Sequence, residues 1–486
     1  MRRWLGVAAA IVMAGGCASA PPVEPPALEG VDLPVTWTTT DVPVGQIAVD
    51  WWTDFDDPGL SAAVETVLTH NFDLQTAAAR LELAAADARA AAAGLNPTIQ
   101  ASYNGSRRRQ NFVGFPIPGA EDRVLSTIST NHGVSLDVSW EIDLWGRLRA
   151  SSQAALADLQ RSGADLRGAQ LSIAGQTVKA WFAIAEAQQQ VNLSRQTVDN
   201  YRESEEQVRD RFEAGIRPAL DLRLALLNLS NAEALLQQRL QQLDSSSRQL
   251  EVLLGQYPNG TTDTPPSLPA VTPAVPGGLP ADLVGRRPDL VAAERNLAAS
   301  EARLSVARTE LLPQITLTAA TGTATNSLRS LIDGDFSVWS FLANVVAPLW
   351  QGGRLRAQIS QAEARSAEAL ATYANTALAA YAEVETALAA EQFLREREQH
   401  LTTSVTQARA AERLADERYR AGLETYITVL DSQRSAVQAE GDLLAARRLR
   451  LENRVDLYLA LGGGFEQLES PFQLETDDED DTTGVP

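Results

Sequence analysis

Few residues in this chain are of the types that do covalent chemistry. Its 486 residues include three histidines (His70, His132, His400) and one cysteine, Cys17. So sparse a set leaves no cluster for zinc or haem, and no metal site is expected. Serines are plentiful, yet no Ser/His/Asp set or glycine-rich phosphate loop has supporting context, so no catalytic residue and no cofactor are expected. The chemistry on offer is of two other kinds. Cys17 follows Ala14-Gly15-Gly16, which in turn follows Arg2-Arg3 and an apolar stretch from Leu5 to Ala14. That is the pattern of a signal peptide ending at a lipidated cysteine, with an ordinary signal peptide and an incidental cysteine as the alternative. Ala18 follows in place of the aspartate that marks inner-membrane retention, so the outer membrane is the expected destination. The second kind is electrostatic. Asp221 and Asp431 lie shortly after two glycine-marked helix reversals. Carboxylates at that place complement the first turn of a helix.

The elements that must position these residues come in two copies. Leu144-Trp145-Gly146-Arg147 opens one, and Leu349-Trp350, then Gly353-Arg354, opens the other. The two glycines are offset by 207 positions (353 − 146), and the same offset carries Arg211-Phe212 onto Arg418-Tyr419, Gly215 onto Gly422 and Leu254-Gly255 onto Leu461-Gly462. Upstream the offset is 216 (313 − 97), pairing Asp73-Leu74 with Asp289-Leu290 and Pro97 with Pro313. The chain is a tandem duplication, and two copies are too few for a capped solenoid, which favours a closed quasi-symmetric assembly. The expected division is a signal peptide over 1–16, a lipidated tether over 17–59, a first repeat over 60–255, a Pro/Gly linker over 256–287, a second repeat over 288–464 and an acidic tail over 465–486. The tail reads as solvated, with metal binding the lesser reading.

Alternation marks four strands. From Val134 to Leu144 every even position is apolar and every odd one polar. Ile99, Ala101 and Tyr103 oppose Gln100, Ser102 and Asn104; Ile315, Leu317 and Ala319 oppose Gln314, Thr316 and Thr318. In the fourth, Val338 to Val346, Trp339, Phe341 and Val345 share a face. Segments of about ten alternating residues suit tilted strands crossing a bilayer, and equally a soluble sheet with one wet face. Tryptophans 140, 145, 339 and 350 near strand ends fit an interfacial aromatic belt. Arg107-Arg108-Arg109 is expected in the loop after the first strand. Four strands cannot close a barrel, so copies must share one, and three would supply twelve strands.

The expected fold class is therefore α+β: long helical hairpins plus four transmembrane strands per protomer. Arg147 to about Glu213 predicts a helix of roughly 100 Å at 1.5 Å per residue. After Gly215 and Pro218 a return helix runs from Ala219 to Leu254, with a heptad of leucines at 222, 229, 236, 243 and 250. Its counterpart carries Leu430, Val437, Leu444, Leu451 and Tyr458, and Ala379, Ala380, Ala387 and Ala390 would let partner helices approach closely. An earlier Ala-rich helix is expected from Leu60 to about Gly94, and its second copy from Pro288 to about Leu312. The net charge of −21 argues against a nucleic-acid partner.

These residues resemble the TolC-like outer-membrane efflux factors, specifically their lipidated, NodT-like multidrug branch. The resemblance runs from Cys17 to Gly464 and rests on Trp51-Trp52 with Phe55-Asp56-Asp57-Pro58, on Arg286-Arg287-Pro288-Asp289 with Ala293-Glu294, on Leu312-Pro313, and on the two tips around Gly215 and Gly422. It implies a homotrimer with a 12-stranded barrel in the outer membrane of a Gram-negative bacterium and a helical tunnel in the periplasm. It implies a passive duct for drugs and other small toxic compounds, docked on a periplasmic adaptor and a proton-driven inner-membrane pump. Gly215 and Gly422 would mark the docking tips, and Asp221, Asp431 and Tyr419 the closed periplasmic end, where three copies of each aspartate would form negative rings that favour cations; the other reading is that they cap the return helices. Tyr419 matches a tyrosine that latches neighbouring hairpins in some relatives. Thr428 stands where a second-copy aspartate is common and Glu424 where some relatives carry a latching arginine, so the latch itself is not carried over. Two alternatives remain at this point: one-step secretion of a protein or peptide, and a lipid-anchored coiled coil spacing the envelope.

Overall fold

Each strand pair hands over to a long helix through a glycine in the left-handed region, Gly146 at φ +78° and Gly353 at φ +85°. A side chain at such a φ is strained, which is why both copies place glycine there. Residues 36–38, 45, 47–112, 124–261, 267–270, 275–276 and 283–464 are described by the structure, a computed structural model. Cys17, the signal peptide, most of the tether, parts of the linker and the acidic tail lie outside them.

Contacts divide the chain into two units, each drawing on both sequence copies. Among the described residues one takes Arg80–Ser162 and Ala293–Tyr373; the other takes the described parts of Ala27–Ala79, Gly163–Ala292 and Ala374–Pro486.

The first unit holds the sheet. Strands β1 (Thr98–Phe112), β2 (Leu125–Ile142), β3 (Gln314–Thr325) and β4 (Ser337–Val346) pair antiparallel in the order β1-β2-β3-β4. The β2–β3 pair joins the two copies. Registers align the alternation across the whole sheet. Ile99 faces Val138, Tyr103 faces Val134, Trp140 faces Leu317, Val138 faces Ala319, Ala319 faces Phe341 and Ile315 faces Val345. Directly opposite residues share a face, so these form one continuous apolar surface, while Gln100, Asp137, Ser135, Thr318 and Asn344 line the other. The apolar face is uncovered: Ile99, Phe341 and Trp339 are 65%, 64% and 82% exposed.

β1 and β2 outrun the expected segments by several residues, because the ladder continues where side-chain alternation stops. Arg107, Arg108 and Arg109 consequently sit in β1, paired with Thr130, Ser129 and Ile128, and not in a loop. The tryptophans also divide. Trp140 donates to the Leu95 carbonyl (3.0 Å) and Trp145 to that of Pro313 (2.8 Å), pinning strand ends to neighbouring segments, whereas Trp339 and Trp350 are exposed.

Helices carry the rest: α1 (Pro58–His70), α2 (Phe72–Ala93), α3 (Arg147–Glu213), α4 (Ala219–Leu253), α5 (Pro288–Thr309), α6 (Arg354–Arg420) and α7 (Tyr426–Ala460). The single helix expected from Leu60 to Gly94 is two, α1 and α2. Asn71 breaks it in an extended conformation, accepts from the Asp73 and Leu74 amides and donates to the Leu253 carbonyl (2.9 Å). None of the described helices is long and apolar enough to cross a membrane.

The core of the second unit explains the aromatic motif. Trp51 stacks on Tyr458 (4.9 Å) and Phe55 meets Phe182 edge-on (5.1 Å). Asp54 accepts from the Tyr458 hydroxyl, while Asp57 caps α1 through the Gly59 and Leu60 amides and also takes the Trp181 indole N–H. Each aspartate thus ties the segment before α1 to a different helix. Arg287 of the Arg-Arg-Pro-Asp motif is buried, paired twice with Asp289, once with Glu383 (2.7 Å), and donates to the Ala460 carbonyl. Burial opposes its charge, but these partners prevail and its pKa is raised. In the heptad rows of α4 and α7, Leu250, Leu430, Leu451 and Tyr458 are buried, while Leu222, Leu229, Leu236, Leu243, Val437 and Leu444 are half-buried. Ala380 and Ala387 are buried as expected of a close-packed seam; Ala379 is exposed, one position off it.

Candidate functional site

Both helical hairpins reverse through the same cap. α3 ends with the Gly215 amide donating to the Phe212 carbonyl (2.9 Å) and the Ile216 amide to that of Arg211 (2.8 Å). α6 repeats it: Gly422 to Tyr419 (3.0 Å), Leu423 to Arg418 (2.9 Å). This is the Schellman arrangement, which needs a left-handed residue at the turn, and Gly215 and Gly422 supply it at φ +72° and +74°. Nothing lies within 4 Å of where a Cβ on either glycine would sit, so only the backbone restricts these positions.

The caps expose matching apolar side chains. Ile216 (69% exposed) and Leu220 (60%) flank the first turn; Leu423 (68%) and Ile427 (59%) occupy the corresponding places in the second. Behind them Val198, Val208, Ala225, Ala415, Tyr419, Tyr426 and Leu430 make a buried cluster drawn from α3, α4, α6 and α7, so the two hairpins are packed together.

Tyr419 lies at the centre of that packing. Its ring is 5.4 Å from Tyr426 and is covered by two cations of the other hairpin, Arg217 at 4.6 Å and Arg211 at 5.1 Å. Its hydroxyl is buried without a hydrogen-bond partner. The contact therefore runs through the ring face, by cation–π attraction and burial. Tyr426 in turn bonds the Ser204 hydroxyl (3.1 Å). Burial, opposed by that bond and reinforced by Tyr419, Tyr201 and Asp221, pushes the Tyr426 pKa up to about 12.

The acidic residues are placed unequally. Asp221 is half-buried in the first turn of α4, where it complements the helix dipole; the residue at the cap is Pro218, without a side-chain bond. Asp431 is exposed and lies beyond the first turn of α7, so capping does not describe it. Glu424 accepts from the Thr425 amide (3.2 Å) and the Thr428 hydroxyl (3.1 Å), with Arg418 at 3.7 Å. Those contacts, the amide foremost, hold its carboxyl below the usual carboxylate range.

A family model described as "Outer membrane efflux protein" matches residues 63–256 and 279–463. The chain belongs to the outer membrane efflux protein family. As a member it is an outer-membrane efflux channel, which sets aside the envelope-spacer alternative. It is similar to the pyoverdine export outer membrane protein OpmQ of Pseudomonas putida, 33% identical over 453 residues covering 92% of this chain and 95% of that one. Outer membrane protein OprJ of Pseudomonas aeruginosa is 32% identical over 460 residues, covering 93% and 94%. Among solved structures, that of the outer-membrane channel OprN superposes with a TM-score of 0.83 at 29% identity, covering 92% of this chain and 99% of the other.

Within this efflux protein, sequence reasoning singled out Tyr419 and the two glycines, named Arg211 only as part of the repeated tip motif, and missed Arg217 and Tyr426; these three residues complete the tip cluster. The repeat offset offered one signal. It sets Phe212 against Tyr419, yet Phe212 is 38% exposed and Tyr419 only 4%. The copies share the cap and differ in which one inserts its aromatic.

Proposed function

We propose that this chain forms the exit duct of a tripartite efflux pump, as a homotrimer whose three four-stranded sheets close a 12-stranded barrel in the outer membrane. One observation carries the reading. The sheet presents an exposed apolar face and, among the described residues, unpaired outer edges on β1 and β4. Lipid tolerates neither free edges nor an open sheet, so copies of the chain are needed to satisfy both. Cys17 would anchor the mature protein by lipid, after removal of 1–16, and the two repeats would each contribute one strand pair and one hairpin.

The tips are the proposed periplasmic end. Ile216, Leu220, Leu423 and Ile427 form an apolar rim at the turns, suited to an adaptor linking the duct to an inner-membrane, proton-driven transporter. Asp221, Asp431 and Tyr419 are assigned to the closed pore end. Cargo is proposed at class level, as small toxic molecules moving passively; one similar protein is named for pyoverdine export and others for antibiotic or toluene efflux. The protein itself performs no reaction.

Heat-resistant trimers on gels and discrete conductance steps in planar bilayers are the expected results. A protein that stays monomeric in detergent and leaves bilayers silent would overturn the proposal. Mass spectrometry of the mature protein tests the anchor separately: an unmodified Cys17 would remove it.

A further inference from the structure

The arginines of β1 are unexplained by transport. Successive strand residues alternate faces, so Arg107 and Arg109 share the face of Ile99, Ala101 and Tyr103, while Arg108 points to the polar side. On this outward face the rows beyond Tyr103 pair Gly105 with His132, Arg107 with Thr130, Arg109 with Ile128 and Asn111 with Ser126. No carboxylate stands among them. Arg107 and Arg109 are exposed and, among the described residues, make no ion pair, in a chain whose net charge is −21.

Their height follows from the register. The apolar row of β2 from Ile142 to Val134 rises about 27 Å along the strand, or about 20 Å along the membrane normal at a typical tilt near 40°. Tyr103 and His132, joined by a 2.9 Å hydrogen bond, close its upper end as an aromatic rim would. Arg107 and Arg109, opposite Thr130 and Ile128, lie about 10 and 15 Å further up, beyond an apolar band of about 25 Å and within the headgroup layer. Both are at the strand end remote from the helices.

We infer that Arg107 and Arg109 form an outward-facing site for the phosphate groups of a phosphorylated glycolipid in the outer leaflet. A guanidinium presents paired donors that match phosphate oxygens, and the Tyr103 ring and the apolar row below offer a continuous surface for acyl chains. Charge and apolar surface thus meet in the order that such a lipid presents them. This rests on the barrel reading above.

The test uses the full-length trimer and lipid A as probe. Native mass spectrometry would count lipid A retained by the wild type, by Arg107→Ala/Arg109→Ala and by Arg108→Ala, each delipidated and then titrated in detergent. Two cations at a membrane surface are expected to make the double variant bind about thirtyfold more weakly, with Arg108→Ala unchanged. Dephosphorylated lipid A should bind wild type no better than the double variant. Equal retention by all three proteins would overturn the inference, as would competition by inorganic phosphate as strong as that by lipid A, which would make the ligand free phosphate. A neighbouring copy is the remaining rival. If the double alanine variant loses trimer heat resistance while keeping lipid A, the arginines tie protomers together and the inference falls. Conductance is recorded on the same samples: channels without lipid discrimination overturn this inference alone, whereas no channels from any sample overturn the barrel reading with it.

Discussion

Tyr419 allows the tip packing to be tested one atom at a time. Replacing it by Ala removes a buried aromatic, a loss of about 3–5 kcal/mol by analogy with other cores, part of it from the two arginine contacts at about 0.5–1 kcal/mol each. Replacing it by Phe keeps the ring, the Tyr426 contact and both cations. It deletes only a hydroxyl that is buried without a partner, a group whose desolvation alone costs about 1–3 kcal/mol. Tyr419→Phe is therefore expected to be neutral or to stabilise the tip by about 1 kcal/mol, and Tyr419→Ala to loosen it by several.

Amide hydrogen exchange across residues 411–430 reads this directly, since a loss of about 3 kcal/mol accelerates exchange through local opening about a hundredfold. The expected order is Phe equal to or slower than wild type, and Ala far faster, while the core around Trp51 is unchanged. Exchange in Tyr419→Phe as fast as in Tyr419→Ala would refute the reasoning. It would mean that the hydroxyl is bonded in the assembled protein, by an acceptor from a neighbouring copy, and that the latch is a hydrogen bond between protomers.

Other outcomes follow from the same geometry. Leu136→Arg puts a charge on the apolar face and should cost about 2–4 kcal/mol near the bilayer midplane, while Ser135→Arg should assemble and alter conductance; equal damage to trimer yield from both would mean that β2 is not a membrane strand. Gly422→Trp has room for its side chain but not its backbone preference, so it should still form outer-membrane trimers yet fail to confer drug resistance, and full resistance would move docking away from the tip. Asp221→Ala with Asp431→Ala should leave assembly intact and lower cation preference in bilayer recordings, with unchanged selectivity removing both from the pore lining. The folded-state pKa of Tyr426 is raised, so its contribution to tip stability should be fully present below about pH 10 and lost as pH climbs through about 12, read as faster exchange absent from Tyr426→Phe. Asp221→Asn should lower that midpoint, because the aspartate's charge opposes tyrosinate formation.

What was legible in the sequence was set by local rules. The starts of α3 and α6 follow from glycines that must take positive φ, and the residues sharing a face of each strand follow from the period-two alternation, which the ladder then matched across copies. Where two signals overlapped, the reading failed. No Gly or Pro interrupts residues 60–93, and the restart at Asn71 shows in its side chain's bonds to two amides and to the Leu253 carbonyl. β1 continues past Gly105 because its backbone still finds a partner, although both faces have turned polar and periodicity has nothing left to report. Contacts between hairpins, such as Arg217 on Tyr419, join residues some two hundred positions apart that no local pattern links.

The duplication adds a constraint that neither copy shows alone. Equivalent positions share a backbone, so an unlike residue at one of them marks a change that the fold does not require. Asp221 has Thr428 as its counterpart, which removes an acid from the first turn of α7. Glu424, four residues earlier, restores it: the Thr428 hydroxyl and the Thr425 amide bond its carboxylate and hold it ionised. The tip thus keeps one carboxylate at each helix restart, both half-buried, but gives them different partners: the charge of Asp221 acts on Tyr426, and Glu424 lies beside Arg418. A ring of Asp221 would carry its charge toward the packed side of the tip, whereas Glu424 is already partnered. On the pore-end reading proposed above, Asp221 would be the one to act on an ion.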